Sequence, residues 1–142
     1  MRIVPLEEAH LAALRLQAAQ AVLAPLLDAP GYGEMLAAAG PAFAGLADGA
    51  VVGCAGVVML SAQRGHAWAL LAAPAPVGFV PIHRAVAAFL DRQAVRRIET
   101  AVDSDFAAGH RWARMLGFAR EGRMRAYGLD GRDADLYARV RI

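Results

Sequence analysis

Glu99 and His110 are the first candidates for proton transfer by type and position. Asp103 and Asp105 also qualify by position, although aspartates there are more often helix caps. Glu99 lies in "RRIETAVD" and His110 in "SDFAAGHRWARMLG". A carboxylate can accept a proton from an amine, and a histidine can exchange one near neutral pH. Glu99 also shares a strand face with Arg97 and could form an ion pair with it, and His110 could be a surface histidine. Both are therefore catalytic candidates, and no catalytic residue is assigned.

Other reactive side chains give no recognisable site. The single cysteine, Cys54, lies in the apolar run "VVGCAGVVML", which favours a buried small hydrophobe over a nucleophile. The four histidines lack the spacing of metal ligands, so no metal site is expected. The sequence contains neither a P-loop nor the glycine pattern of dinucleotide-binding proteins.

Length and composition indicate an ordered globular protein. The chain has 142 residues, of which 58% are hydrophobic and 20% charged, and we expect a single domain over residues 1–142. A net charge of +2 is too small to imply nucleic-acid binding. The apolar stretch "AWALLAAPAPVGFVPI" is shorter than the ~20 residues of a membrane span, and no signal region is apparent. A cytoplasmic location without membrane contact is expected.

The first half of the chain alternates between helical and strand patterns. A short strand, "RIVPL", precedes the helical pattern "EEAHLAALRLQAAQ", and "YGEMLAAAG" predicts a second helix that ends at Gly40. Asp48 and Gly49 form a strong hairpin signal between two apolar runs. The segment "SAQRG" then turns the chain into "HAWALLAA". Three consecutive antiparallel strands are predicted here.

After Ala73 the spacing of the hydrophobic residues changes from period two to the helical period of 3.6. Residues 80–91 are predicted to be a helix, because "VPIHRAVAAFLDR" places Ile82, Val86, Phe89 and Leu90 on one face. "RRIETAVD" alternates with period two and predicts a strand. A strand, a helix and a strand in this order predict a parallel pair with a right-handed crossover.

The last third predicts one more helix. The helix "SDFAAGHRWARMLG" should be capped by Ser104 or Asp103 and should end before Gly117, which would occupy the C′ position. Its apolar stripe is expected at Ala108, Trp112, Met115 and Leu116.

Two strands, "REGRMRAYGL" and "ADLYARVRI", are predicted to follow, joined across Asp130 and Gly131. In the second strand, alternation predicts that one set of side chains faces inward, namely Leu136, Ala138, Val140 and Ile142. The other set, Tyr137, Arg139 and Arg141, is expected to face outward.

The predicted fold is a mixed α/β domain of the order β-α-α-β-β-β-α-β-α-β-β. Its seven-stranded sheet should be mostly antiparallel with one central parallel pair. Ligands in such sheets bind at the carboxyl ends of parallel strands. That point is predicted between residues 70–73 and residues 100–103.

The element order and the ending "RWARMLGFAREGRMRAYGLDGRDADLYARV" resemble the GCN5-related N-acetyltransferase superfamily. The resemblance rests on the helix-ending tripeptide from Leu116 to Phe118, on Glu121 and Gly122, and on the hairpin at Asp130. It implies acetyl coenzyme A-dependent transfer to an unidentified amine.

The same resemblance implies which residues hold acetyl coenzyme A. Strand backbone at Leu71, Ala72 and Ala73 would pair with the pantetheine arm. The start of the following helix, at Gly78, would receive the phosphates. Apart from the resemblance, His83 and Arg84, one turn into that helix, could supply positive charge there, and the alternative for Arg84 is a solvated helix residue.

Two departures from the family pattern put this site in doubt. In the phosphate-loop window from Ala75 to Val80 only Gly78 fits, because Val80 is bulky and Pro76 and Pro81 lack a backbone donor. The helix position where many members carry an acidic tyrosine is Ala113, which cannot donate a proton. Binding of acetyl coenzyme A is therefore expected to be weak or absent.

Alternatives follow from these departures. A fainter resemblance, carried by His110, Arg111 and Trp112 before Met115, is to small acetyltransferase-like proteins of phages and prophages. It implies a catalytically degenerate protein with a structural or host-interaction role and a phage structural partner, associated with the virion. Of the functions considered, a basic module that binds nucleic acid is the least favoured. The sequence leaves open whether the protein forms a homodimer.

Overall fold

The computed structural model describes residues 1–73 and 77–142, which form seven strands, five α-helices and one 3-10 segment. The strands are β1 (Arg2–Pro5), β2 (Ala42–Ala47), β3 (Ala50–Met59), β4 (Arg64–Leu71), β5 (Arg97–Asp103), β6 (Ala119–Met124) and β7 (Ala134–Val140). The helices are α1 (Glu8–Ala13), α2 (Ala24–Leu27), α3 (Tyr32–Ala39), α4 (Phe79–Asp91) and α5 (Ala107–Met115), and the 3-10 segment is Ala18–Leu23. Among the described residues, no helix has the length and apolarity to span a membrane.

The strands form one sheet in the order β1-β2-β3-β4-β5-β7-β6. β4 and β5 run parallel, with residues 64–66 opposite residues 97–99, and the remaining neighbours are antiparallel. The predicted fold class and the single parallel pair are confirmed. The crossover helix α4 covers the predicted range, and its four predicted inward residues are all buried.

Contacts between residues divide the chain into two compact units. The first comprises Met1–Val58 and Trp68–Gln93, and the second comprises Met59–Ala67 and Ala94–Ile142. β3 and β4 contribute residues to both units. The single domain over residues 1–142 stays a prediction.

The first unit packs helices on both faces of its strands. On one face, side chains from α1, α2 and α3 pack with strand residues such as Cys54 and Leu70. On the other face α4 packs on the sheet, with the rings of Phe43 and Phe89 5.1 Å apart. The hairpin at Asp48 and Gly49 is confirmed, since both have positive φ, as a two-residue turn between twisted strands requires.

In the second unit, α5 ends as predicted. Gly117 has φ 89°, and its amide donates to the carbonyl of Arg114. The amide of Phe118 donates to the carbonyl of Ala113, and both residues are buried. This pair of bonds with a glycine at C′ is the Schellman motif.

The expected apolar stripe of α5 is wrong. Met115 is 60% exposed and Ala108 is exposed, whereas Ala113 is buried and Trp112 half-buried. Small residues let the helix approach β5 closely, because a methyl group at Gly109 would lie 2.8 Å from Val102 Cγ1. The helix therefore buries a narrow face that a search for large apolar residues does not find.

The expected caps of α5 are also wrong. The N-cap is Phe106, without a side-chain cap. The Asp103 carboxylate accepts the amide of Asp105 at 2.9 Å, and the Ser104 hydroxyl donates to Asp135 at 2.8 Å. Both side chains are engaged in the turn before the helix instead.

The outward orientation predicted for Tyr137 is wrong, since its side chain is fully buried. β7 lies between β5 and β6, and α5 covers the Tyr137 face, so this strand is buried on both faces. Val140 is 51% exposed and Ile142 is fully exposed, so the inward face ends at Ala138. β6 stops at Met124, five residues earlier than predicted.

Candidate functional site

The second half of β4 presents one edge to β3 and one edge away from it. The amide of Leu60 donates to Arg64 and the amide of Ala72 donates to Val52, so even-numbered residues of β4 bond toward β3. Backbone groups alternate along a strand. Those of Ala69 and Leu71 therefore point to the opposite edge.

This edge of β4 is occupied by residues 15–20, which we call the edge segment. The helix predicted from "EEAHLAALRLQAAQ" is wrong here, because α1 ends at Ala13 and Leu14 is extended. The Gln20 carboxamide donates to the Ala69 carbonyl at 2.7 Å and accepts the Leu71 amide at 3.0 Å. The amide of Gln17 donates to the Leu71 carbonyl, and the amide of Ala73 donates to the carbonyl of Arg15, both at 3.0 Å. Leu16 and Ala72 form an isolated antiparallel bridge.

The three strand residues expected to hold the pantetheine arm are thus already hydrogen-bonded within the first unit. Leu71 uses both backbone groups on the edge segment, Ala73 uses its amide there, and Ala72 donates to β3. The side chain of Ala72 packs on the core cluster of α1 to α3. That of Leu71 lies on the other face, against Gly53.

The two residues expected at the phosphates lie on α4. Gly78 is the N-cap, with φ 74° and no side-chain cap, and Pro81 is the third residue of the helix. Arg84 is exposed on the second turn. The ring of His83 stacks on Phe79 with centroids 6.0 Å apart. Ala75 and Pro76, the first part of the phosphate-loop window, lie outside the described residues.

Glu99 lies in an ion network of the second unit. Its carboxylate accepts Arg64 Nε at 2.8 Å and Arg97 Nε at 3.0 Å, and Arg97 also binds Glu121. Although burial raises the pKa of Glu99, the hydrogen bonds from Arg97 and Arg64 outweigh burial and lower it overall. The predicted pairing of Glu99 with Arg97 is found, and the carboxylate is held in its ionised form.

His110 is held by partners on both ring nitrogens. Nδ1 lies 2.8 Å from the Tyr137 hydroxyl, and Nε2 lies 3.0 Å from the Ser104 carbonyl. A carbonyl only accepts, so Nε2 carries the hydrogen, and in the neutral ring Nδ1 accepts from the tyrosine. The ring is half-buried and fastens α5 to β7.

Asp135 is the buried charge that the sequence reasoning missed. Its carboxylate accepts Arg120 Nε at 2.9 Å and the Ser104 hydroxyl at 2.8 Å, and Arg123 lies 3.6 Å away. These bonds, from Arg120 first, lower the pKa of Asp135 to about 2. The alternation of side chains in "ADLYARV" did not indicate that Asp135 is buried, because alternation assumes one exposed face and this strand is buried on both faces.

His66 is a second residue that the sequence reasoning passed over. It is half-buried on β4 and is the register partner of Glu99 on β5. Burial lowers the pKa of His66, and the Glu99 carboxylate opposes that effect. The imidazole is therefore neutral over a wider pH range than a free histidine.

Comparisons with known proteins identify the fold. The ribosomal-protein-S5-alanine acetyltransferase from Vibrio fischeri matches with TM-score 0.74 and 17% identity, over 97% of this chain and 91% of that one. The ribosomal-protein-alanine N-acetyltransferase from Brucella melitensis matches with TM-score 0.75 and 16% identity, over 99% and 100%. A phosphinothricin acetyltransferase of the GNAT superfamily from Sinorhizobium meliloti, solved with acetyl coenzyme A, matches with TM-score 0.70 and 16% identity, over 98% and 87%.

The TM-scores establish that the chain shares its fold with these acetyltransferases, and at identities of 16–17% the likeness shows the fold alone. No protein-family model and no curated protein sequence matches the chain. Nothing in the matches supports the phage-type resemblance or association with a virion.

Proposed function

We propose that the chain belongs to the GCN5-related N-acetyltransferases and transfers an acyl group from acetyl coenzyme A to a primary amine. The observation that carries the proposal is the edge of β4, which holds an amide in a fold shared with acetyltransferases. The neighbour from Sinorhizobium meliloti, solved with acetyl coenzyme A, supports this choice of cofactor.

The β4 edge fits the pantetheine arm because that arm carries amide groups. The Ala69 carbonyl and the Leu71 amide form an acceptor and a donor at the spacing of one carboxamide, as Gln20 demonstrates. An extended chain with amides can bond to a strand edge in the same manner. In this proposal the backbone of residues 69–73 aligns the thioester, and the cofactor supplies the acyl group.

The start of α4 would receive the phosphates. Backbone amides at a helix N-terminus favour anions, and the exposed Arg84 adds a positive charge one turn further on. Pro81 removes one of the donors that a helix normally offers there. We therefore propose a weak phosphate contact that depends on Arg84.

Alignment carries most of the catalysis in this proposal. Holding an amine next to a thioester can supply a large part of the rate enhancement. Glu99 is a poor proton acceptor at neutral pH, because two arginines stabilise its ionised form. The side chain of Ala113 cannot protonate a leaving thiolate and is buried. Turnover is therefore expected to be slow.

Calorimetric titration with acetyl coenzyme A tests the cofactor. We expect binding in the micromolar to millimolar range, weakened about tenfold or more in Arg84→Ala, because one charge-assisted contact is lost. Arg92→Ala, which removes an exposed arginine at the other end of α4, should bind like the native chain. Absence of heat at millimolar ligand would contradict the proposal.

Release of the free thiol from acetyl coenzyme A tests the reaction. The names of the neighbours mention ribosomal-protein alanine and phosphinothricin, so the amine panel should include an alanine peptide with a free amino group and phosphinothricin. Glu99→Gln and His110→Asn should change turnover less than tenfold. A loss of 10²-fold or more in either variant, with the fold intact, would assign proton transfer to that residue.

A further inference from the structure

The edge segment, residues 15–20, lies where the proposed pantetheine arm would bind. It bonds to four backbone groups along that edge, namely the Ala69 carbonyl, both groups of Leu71 and the amide of Ala73 just beyond β4. Two ligands cannot share these donors and acceptors. The segment and an incoming amide chain therefore compete for the same positions.

The hydrogen bonds between the edge segment and β4 resemble those of a bound ligand more than those of a paired strand. Only one bridge, between Leu16 and Ala72, has strand geometry. The other contacts come from the Gln20 side chain, whose carboxamide stands in for a peptide group. Gln17 Nε2 donates to Gln20 Oε1 at 3.0 Å and holds that carboxamide in place.

Apart from Leu16, which packs half-buried against the core cluster of the first unit, few apolar contacts hold the segment. Arg15, Ala18 and Ala19 are exposed, and the 3-10 segment Ala18–Leu23, which begins within the edge segment, has no fully buried residue, only Leu23 packing half-buried on the same cluster. The flanking helices α1 and α2 are short, with six and four residues. Segments with few buried contacts open at low free-energy cost.

We propose that residues 15–20 are a displaceable internal occupant of the cofactor edge, with Gln20 as the latch. In the free chain the segment satisfies the β4 edge and blocks it. On binding, the amide-bearing arm of acetyl coenzyme A takes over the contacts to Ala69, Leu71 and Ala73, and the segment moves away. This inference rests on the proposed function.

A reversible covalent lock gives the sharpest test. Leu16 and Ala72 face each other as a non-hydrogen-bonded antiparallel pair, the geometry with the shortest Cα separation, which suits a disulfide. The variant is Leu16→Cys with Ala72→Cys in a Cys54→Ala background, because Cys54 lies in the same cluster and could pair wrongly. Acetyl coenzyme A binding is measured by calorimetry in the oxidised and the reduced form.

We expect the reduced form to bind like the Cys54→Ala chain and the oxidised form to lose at least tenfold in affinity. Equal binding in both forms would overturn the inference and leave the proposed function intact. If neither form nor the native chain binds, the proposed function fails and the inference fails with it. The redox pair has one sequence, so a folding defect of the variant would appear in both forms.

Removal of the latch gives the opposite change. Gln20→Ala should bind acetyl coenzyme A about 5- to 30-fold more tightly, because the free chain no longer makes the two competing side-chain bonds. Gln93→Ala is the matched control, since Gln93 is also a half-buried carboxamide bonded to a main-chain carbonyl, that of Phe89. Weaker binding by Gln20→Ala would show that Gln20 assists the ligand and would overturn the inference.

Hydrogen exchange reads the latch without any ligand. In Gln20→Ala the Leu71 amide loses its acceptor and should exchange at least tenfold faster than in the native chain, whereas Gln93→Ala should leave it unchanged. Unchanged Leu71 exchange would show that Gln20 does not hold the edge in solution. This readout separates failure of the latch from failure of the proposed function.

Discussion

Glu99, His110 and Asp135 in the second unit are each held by partners from neighbouring elements. Glu99 and His110 were identifiable from the sequence by type, but their partners Arg64 and Tyr137 lie 35 and 27 residues away. Such long-range pairing depends on strand register, which a single sequence does not specify. Asp135 was missed for the same reason, because its three partners come from the turn before α5 and from β6.

Asp135→Asn should lower the free energy of unfolding at pH 7 by about 1–3 kcal/mol, since Arg120 and Arg123 lose their counter-charge. The pKa of Asp135 is lowered from 3.8 to about 2 in the folded state, so its stabilisation is present above 3.8 and disappears as pH falls toward 2. His110 is the further group that contributes to this shift. Urea unfolding between pH 7 and pH 3 should show the two proteins converging.

Asp105→Asn is the control for that measurement. Asp105 pairs with Arg132 at 3.0 Å, but its side chain is 83% exposed, and such pairs contribute little. We expect a change within about 0.5 kcal/mol at every pH. A loss as large as that of Asp135→Asn would show that general charge repulsion, not the buried pair, causes the effect.

Gly109→Ala should destabilise the fold by about 1–3 kcal/mol, although glycine-to-alanine changes inside helices usually stabilise by up to about 1 kcal/mol. The added methyl group would lie 2.7 Å from Phe106 Cδ2 and 2.8 Å from Val102 Cγ1. Thermal and urea unfolding measure the difference. Gly122→Ala is the control, because a methyl group there meets no atom within 4 Å. A stabilised Gly109→Ala would mean that α5 can shift away from β5.

At the level of elements, the sequence correctly predicted the turn and the helix end that depend on local backbone conformation. The turn at Asp48 and Gly49 and the end of α5 at Gly117 depend on backbone conformations that few residues other than glycine adopt readily, so their residues identify them. The face of α5 and the inward set of β7 depend on which neighbours cover them. Those were predicted from hydrophobicity alone and were wrong for Met115 and Tyr137.

Gly117→Ala should cost about 1–2 kcal/mol, because φ is 89° and an L-residue with a Cβ is strained there. The methyl group would also come within 3.4 Å of Arg139 Nε. Gly117→Asn should lose less, since asparagine tolerates the left-handed region better. Equal losses for the two variants in urea unfolding would show that contact with Arg139, and not backbone strain, sets the cost.

For the molecule as a whole, the order of elements was enough to predict the fold. The change from period two to the helical period after Ala73 located the crossover, and crossover connections of parallel strands have one hand. The occupation of the β4 edge was not predictable. It depends on a side-chain carboxamide, Gln20, acting as backbone, and on a bridge between Leu16 and Ala72 that has no sequence pattern.

Stability of the whole chain should fall as the pH drops below about 7, with His66 as a contributor. Burial lowers the pKa of His66 in the folded state, although Glu99 opposes this, so the unfolded chain binds a proton more readily. The stability that neutral His66 contributes is fully present above pH 6.5 and is lost as the pH decreases toward the pKa of His66 in the folded state. The charged groups on its face are Glu99 with its partners Arg64 and Arg97.

The measurement is the free energy of unfolding in urea at intervals from pH 8 to pH 5, for the native chain and His66→Gln. The difference between the two proteins isolates His66 from every other titrating group. The Cys54 thiol does not interfere, because burial raises its pKa to about 12. We expect the native chain to lose more stability than His66→Gln over this range. A native chain that gains stability on acidification relative to the variant would mean that attraction by Glu99 outweighs burial at this position.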